Sequence, residues 1–183
     1  MPLNNKVKIL LLGGNIWFFG EGLLGPLFAI FAQRIGGDIL DISYAWAIYL
    51  IFAGILFILV GKIIDKYGHK EKIMIGGYAL NTICTFGYLF VSNPLQLFII
   101  QALLGIADAM ATPTWDSLYS KYDNTVSSGL QWGLSGGLEK IVTGAAVLVG
   151  GYIIVFGSFT TLFIIMGSIQ LIATIVQARI LVK

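Results

Sequence analysis

The sequence predicts an all-α membrane protein with six transmembrane helices. Three observations carry this expectation: the composition, the spacing of the charge-free stretches, and the turn residues between them. The 183-residue chain is 57% hydrophobic and only 11% charged, and its mean hydropathy is +0.89. A soluble domain carries about a quarter of its residues charged. With so little polar surface, the natural solvent for this chain is lipid. A lone cysteine, Cys84, excludes an intrachain disulfide and cannot build a metal site by itself. No cleavable signal peptide is expected, because the first apolar stretch carries Glu21, is too long, and lacks an A-x-A-like exit.

A membrane-crossing helix needs about 20 mostly apolar residues. Ile9 to Phe31 supplies the first, interrupted by Asn15 and Glu21. Ile42 to Gly61 is free of charge and supplies the second. Ile73 to Ala107 also carries no charge and is too long for one span. Ser92-Asn93-Pro94 breaks it into helices three and four, the fourth continuing past Pro113. Thr125 to Ile154 forms the fifth, and after Phe156-Gly157-Ser158 the sixth runs to about Gln177.

An even number of spans puts both termini on one side. Lys6, Lys8, Lys121, Arg179, Lys183 and the four lysines of 61–72 then share that side, and only Arg34 lies opposite. The excess of Lys and Arg places the termini in the cytoplasm of a cell that carries this chain in its inner or plasma membrane.

The two halves repeat one another. Glu21 stands five residues before Pro26, and Asp108 five before Pro113. Gly54, Gly61 and Gly68 are echoed by Gly144, Gly151 and Gly157. The offsets are 87, 87, 90, 90 and 89, so one alignment with small gaps covers them. Residues 1–183 thus read as one domain, with a three-helix repeat over about 7–91 and a second over about 94–180. Three helices is an odd number, so the copies must be inverted in the membrane, a transporter habit.

An ionisable group inside a bilayer is a functional candidate by default. Gln101, Gly105, Asp108, Thr112 and Asp116 follow helical spacing and draw one polar stripe down helix four. That stripe is expected to face a water-filled cavity with Glu21. Gly129, Gly133 and Gly137 make consecutive G-x-x-x-G steps, expected to pack tightly against another helix. Glu139 and Lys140 are neighbours in sequence, point about 100° apart, and are not expected to pair. Lys140 is expected to reach a carboxylate on another helix, with Asp108 and Glu21 as candidates, one of which could gain and lose a proton during transport.

Enzyme chemistry is not expected. Gly133-Leu-Ser135-Gly136 fits the serine motif of intramembrane proteases, but that chemistry needs a histidine base in the membrane. The only histidine, His69, is in a loop. No cofactor, metal or nucleic-acid partner is implied.

The stretch Gly61-Lys-Ile-Ile-Asp-Lys-Tyr-Gly-His-Lys70 resembles the signature loop after the second helix of major facilitator superfamily transporters, roughly G-x-x-x-D-[RK]-x-G-[RK]-[RK]. Gly61, Asp65, Lys66, Gly68 and Lys70 fill it. Gly105-Ile-Ala-Asp-Ala-Met-Ala-Thr-Pro113 is similar to the family's second motif, with Gln101 where an arginine normally begins it. The antiporter motif's Gly-Pro is replaced by Ala146-Val147 before Gly150-Gly151. The resemblance covers the chain as a single six-helix half of a fold that usually has twelve. It implies a secondary active transporter of a small solute working by alternating access, with a proton as a candidate coupling ion. A half-unit would complete the shape as a parallel homodimer, Asp65 meeting the start of the partner's fifth helix near Thr125 to Ser128, where the helix dipole favours an anion. A truncated N-terminal half of a longer transporter, or a non-transporting assembly or regulatory subunit, stays open beside this reading.

Overall fold

A computed structural model describes residues 4–122 and 128–181. Its main helices are α1 (Asn5–Leu24), α2 (Leu27–Arg34), α3 (Ile39–Tyr67), α4 (Lys70–Gly87), α5 (Pro94–Tyr122), α6 (Ser128–Phe156) and α7 (Phe159–Ala178), and two short 3-10 turns follow α4 and α7. Six of these, all but α2, are long and apolar enough to cross a membrane.

Local chemistry sets the boundaries. Asn4 caps α1 through the Lys6 N–H. Gly25-Pro26 divides the first expected span into α1 and α2, because proline brings no N–H and crowds the residue before it. Asp38 and Asp41 form a reciprocal capping box at the start of α3. That helix stops at Gly68, whose φ of 72° is open mainly to glycine, and His69 continues the left-handed turn. Pro94 opens α5, where a missing N–H costs nothing, and Asn93 caps it. α5 passes through Pro113 unbroken. Ser158 caps α7 through the Thr161 N–H.

The helices pack in a limited set of pairs: α3 and α4 on α5, α6 and α7 on α1, and α4 on α7. Exchanging α1 with α5, α3 with α6 and α4 with α7 maps this set of pairings onto itself. At the end opposite the termini, Phe31, Tyr88, Phe159 and Phe163 form an aromatic cluster, with Tyr88 stacked on Phe163 at 5.0 Å. Close approaches are made by glycines other than those the spacing singled out. A Cβ on Gly105 would lie 2.6 Å from the Tyr49 carbonyl, and one on Gly150 would strike the Leu23 carbonyl. By contrast, Gly129, Gly133, Gly136, Gly137 and Gly144 have nothing near them among the described residues. The tight packing expected of Gly129, Gly133 and Gly137 is therefore not met among the described residues. α3 and α6 are the least covered spans, with 11% of each buried against 39–56% for the others.

Candidate functional site

α1 carries Glu21 into a cavity of about 530 Å³ that α1–α6 all help to wall. Gln101, Asp108 and Glu139 line the same cavity. A smaller one of about 290 Å³ adjoins it, sharing Trp17, Phe18, Thr112 and Glu139 and adding Asp116. The polar stripe of α5 thus opens on these two spaces through Gln101, Asp108, Thr112 and Asp116. Gly105 does not; it lets α3 approach.

Each central carboxylate is held by neutral donors. Asn81 Nδ2 on α4 and Gln170 Nε2 on α7 both donate to Glu21 Oε1, each at 2.9 Å. Gln170 also donates to the Trp17 carbonyl at 3.2 Å. It reaches so far because Gly20 has no side chain: a Cβ there would sit 2.6 Å from Gln170 Nε2. Asp108 accepts from the Tyr49 hydroxyl on α3 at 2.9 Å and from Thr112 at 2.5 Å. Burying polar groups in an apolar span is costly unless they are bonded, so these contacts make the acids affordable and fix their direction. Gln101 is only 3% exposed and lines the larger cavity without a side-chain hydrogen bond among the described residues.

Glu139 and Lys140 behave differently from expectation. Lys140 Nζ donates to Glu139 Oε1 at 2.6 Å, and its side chain is 79% exposed. The long lysine stem bends back around the helix, which the 100° separation of the Cα–Cβ directions does not forbid. Lys140 reaches neither Asp108 nor Glu21 and is not part of either cavity lining. Ser135 lines the smaller cavity, whereas His69 sits in the turn between α3 and α4.

The loop motif lies at the end that carries the termini. Asp65 is 80% exposed and 3.9 Å from Lys70, which donates to Ser117 at 2.6 Å. Lys66 lies over the Tyr67 ring, 4.9 Å from its centroid. Gly61 faces open space and Gly68 makes the left-handed stop. Residues 123–127, on which most of the expected contact for Asp65 falls, are outside the described residues.

Sequence reasoning missed Asn81, Gln170 and Tyr49. The two amides carried a readable signal: they interrupt apolar spans and stand 89 positions apart, the offset that also relates Gly68 to Gly157.

Six helices long and apolar enough to cross a membrane, five of them walling an acid-lined cavity, define an integral membrane protein. The chain belongs to the Major Facilitator Superfamily, whose family model matches residues 10–183. It is 26% identical over 158 residues to an uncharacterised MFS-type transporter of Methanocaldococcus jannaschii, covering 86% of this chain and 41% of that protein. It is 23% identical over 154 residues to the multidrug resistance protein MdtG of Klebsiella pneumoniae, covering 82% of this chain and 37% of that one. With MdtG of Yersinia enterocolitica the identity is 29% over 101 residues, 53% of this chain and 24% of the relative. The match therefore spans well under half the length of each of these relatives.

Proposed function

We propose that the chain is a half-unit of a secondary active transporter, which moves a small solute by alternating access and works as a parallel homodimer with cytoplasmic termini. The observation that carries this reading is the meeting of Glu21 and Asp108 in one cavity, from helices that exchange under the pairing symmetry. That symmetry supports two inverted repeats over about 7–91 and 94–180 within a single domain. Inverted repeats with a midplane site between them are how such transporters rock around a fixed substrate. Glu21, Gln101, Asp108 and Glu139 are the binding and coupling residues, and a proton carried by Glu21 or Asp108 is the coupling ion.

The dimer reading is supported by the uncovered flanks of the cavity. α3 and α6 both line it, and both leave their outer faces bare, with the open glycines of α6 offering a close approach to another helix. Two copies related by an axis along the membrane normal would cover these faces and close the cavity. The loop of Gly61, Asp65, Lys66, Gly68 and Lys70 would then act as a latch, Asp65 leaving its loose contact with Lys70 for the start of the partner's α6. Nine basic residues on the side of the termini against Arg34 on the other support one fixed orientation, hence parallel subunits.

Cysteines at positions 65 and 126, introduced after replacement of Cys84, test the assembly in native membranes. The homodimer gives a 65–126 crosslink between differently tagged copies. No such crosslink, or partnership with a different polypeptide, sinks it in favour of a half that works with another chain.

A further inference from the structure

A third cavity, of about 320 Å³, lies at the end opposite the termini. It is walled by α2, by the turn that follows α4 and by the start of α7, and shares only Tyr88 with the larger acid-lined cavity among the described residues. Arg34 is the one charged residue among the described ones that line it. Its guanidinium lies 5.7 Å from the centroid of the Phe159 ring and has no ion pair among the described residues. The nearest acids in sequence, Asp38 and Asp41, spend their carboxylates on the capping box of α3. An excess of basic residues at the other end orients the chain, so a lone arginine here works against that bias and calls for a local use.

Polarity in this cavity is layered. Arg34, Ser92 and Thr160 are exposed at its rim. Phe31, Tyr88 and Phe163, three or four residues deeper on the same three segments, are buried at its floor. One helical turn, about 5 Å, separates the layers. A small inorganic anion needs only the rim; an amphiphile with an anionic head and an apolar tail matches both layers. The surface beside the mouth is lipid-facing. Phe90, between the wall residues Leu89 and Val91, is 80% exposed, and Phe156, two residues before Ser158, is 84% exposed. Apolar side chains this bare at the end of a span belong against acyl chains.

The residues also select the head. A guanidinium pairs with phosphate oxygens through two N–H donors. No Asp or Glu among the described residues lines the cavity to receive an ammonium, which disfavours choline and ethanolamine heads. A head of hydroxyls fits instead. The Thr160 hydroxyl has no hydrogen bond among the described residues and is free to donate to the phosphate. The Ser92 hydroxyl donates to Gln96, which leaves its oxygen able to accept from the head.

We infer that this cavity holds an anionic phospholipid of the leaflet opposite the termini, with its phosphodiester on Arg34, a glycerol-type head at the rim and an acyl chain against the aromatic floor. No described lining residue belongs to α3 or α6, so such a lipid sits apart from the faces proposed to meet a second copy. Its binding does not depend on transport.

The test puts a bimane reporter on Phe90→Cys, with Cys84 replaced, beside the mouth of the cavity but outside its lining. The full chain is reconstituted in vesicles of dioleoylphosphatidylcholine, with dibrominated phosphatidylglycerol or dibrominated phosphatidylcholine as the minor component. Bromine quenches only at short range, so the signal reads the lipid at this place and not at the lysines of the other face. The expected result is a preference of about fivefold for the brominated phosphatidylglycerol, the effect of one arginine near a membrane surface. The preference is expected to vanish in Arg34→Gln and to persist in Lys72→Gln. Inorganic phosphate added on both sides at constant ionic strength is expected to leave the quenching unchanged. Leu95→Cys, three residues past Ser92 and 68% exposed, carries the reporter if Phe90→Cys does not fold. Equal quenching by the two lipids, or a preference that survives in Arg34→Gln, overturns the proposal. Displacement by inorganic phosphate overturns the lipid as occupant in favour of a free anion.

Discussion

Asn81 and Gln170 donate to the same oxygen, Glu21 Oε1, each at 2.9 Å, from helices that exchange under the packing symmetry of the fold. One acid is therefore gripped from both halves of the chain at once. Any shift of α4 against α7 would change this grip, so the pair ties the relative position of two helices to the carboxylate.

Removing either amide is expected to loosen the acid without unfolding the chain. A hydrogen bond to a charged group contributes about 1.5–3 kcal/mol. Glu21 opens on the cavity, where water can take a vacated place, so the loss should fall at the low end. Asn81→Ala and Gln170→Ala are each expected to lower the unfolding free energy by about 1.5 kcal/mol. A thermal midpoint in detergent reads the change.

Gly20→Ala should reproduce the Gln170→Ala phenotype with Gln170 still present. The added methyl would sit 2.6 Å from Gln170 Nε2, the movable end of a flexible side chain, so the amide swings off Glu21 while the helices stay packed. The expectation is a midpoint drop similar to that of Gln170→Ala, because the same two bonds are lost. A much larger drop would mean that Gly20 serves helix packing instead.

The glycines divide into two groups that should respond oppositely. At Gly105 and Gly150 an added methyl meets the backbone of a neighbouring helix, which cannot give way. Overpacking of this kind costs about 1–3 kcal/mol or more, so Gly105→Ala and Gly150→Ala should lower the unfolding midpoint in detergent. Gly133→Ala and Gly137→Ala enter open space and should not. If the α6 face is buried in a dimer, Gly137→Leu should instead reduce self-association, as measured by crosslinking yield in membranes.

Lys140→Gln should lower stability measurably, because Glu139, only 29% exposed on a membrane-crossing helix, loses its ion-pair partner. A thermal midpoint measurement in detergent checks it. An unchanged midpoint would mean that the pair contributes nothing to holding Glu139.

The spans were legible in the sequence because charge and turn residues mark the membrane boundaries so sharply. Ser92-Asn93-Pro94 and Phe156-Gly157-Ser158 fall where the chain turns. The α5 stripe was legible too, since helical spacing alone puts Gln101, Asp108 and Thr112 on one side. The partners were not. Spacing says that Gly129, Gly133 and Gly137 share a face, but not that this face is left bare within the chain. It says that Lys140 starts in a different direction from Glu139, but not that a four-carbon stem curls back to 2.6 Å. Gly25-Pro26 lies inside the single apolar stretch Ile9 to Phe31, so apolarity alone does not mark the break between α1 and α2. Asn81 and Gln170 could have been found by running the repeat offset over polar residues instead of glycines.

The account is tested most directly by proton movement in proteoliposomes that hold the purified chain and a pH-sensitive dye. A pH gradient is imposed and small solutes are added outside, one at a time. Dissipation of the gradient by at least one solute is predicted for the native chain, and its loss in the Glu21→Gln, Asp108→Asn double variant. Native vesicles indistinguishable from protein-free ones for every solute offered, or a double variant that still couples protons to a solute, would contradict it.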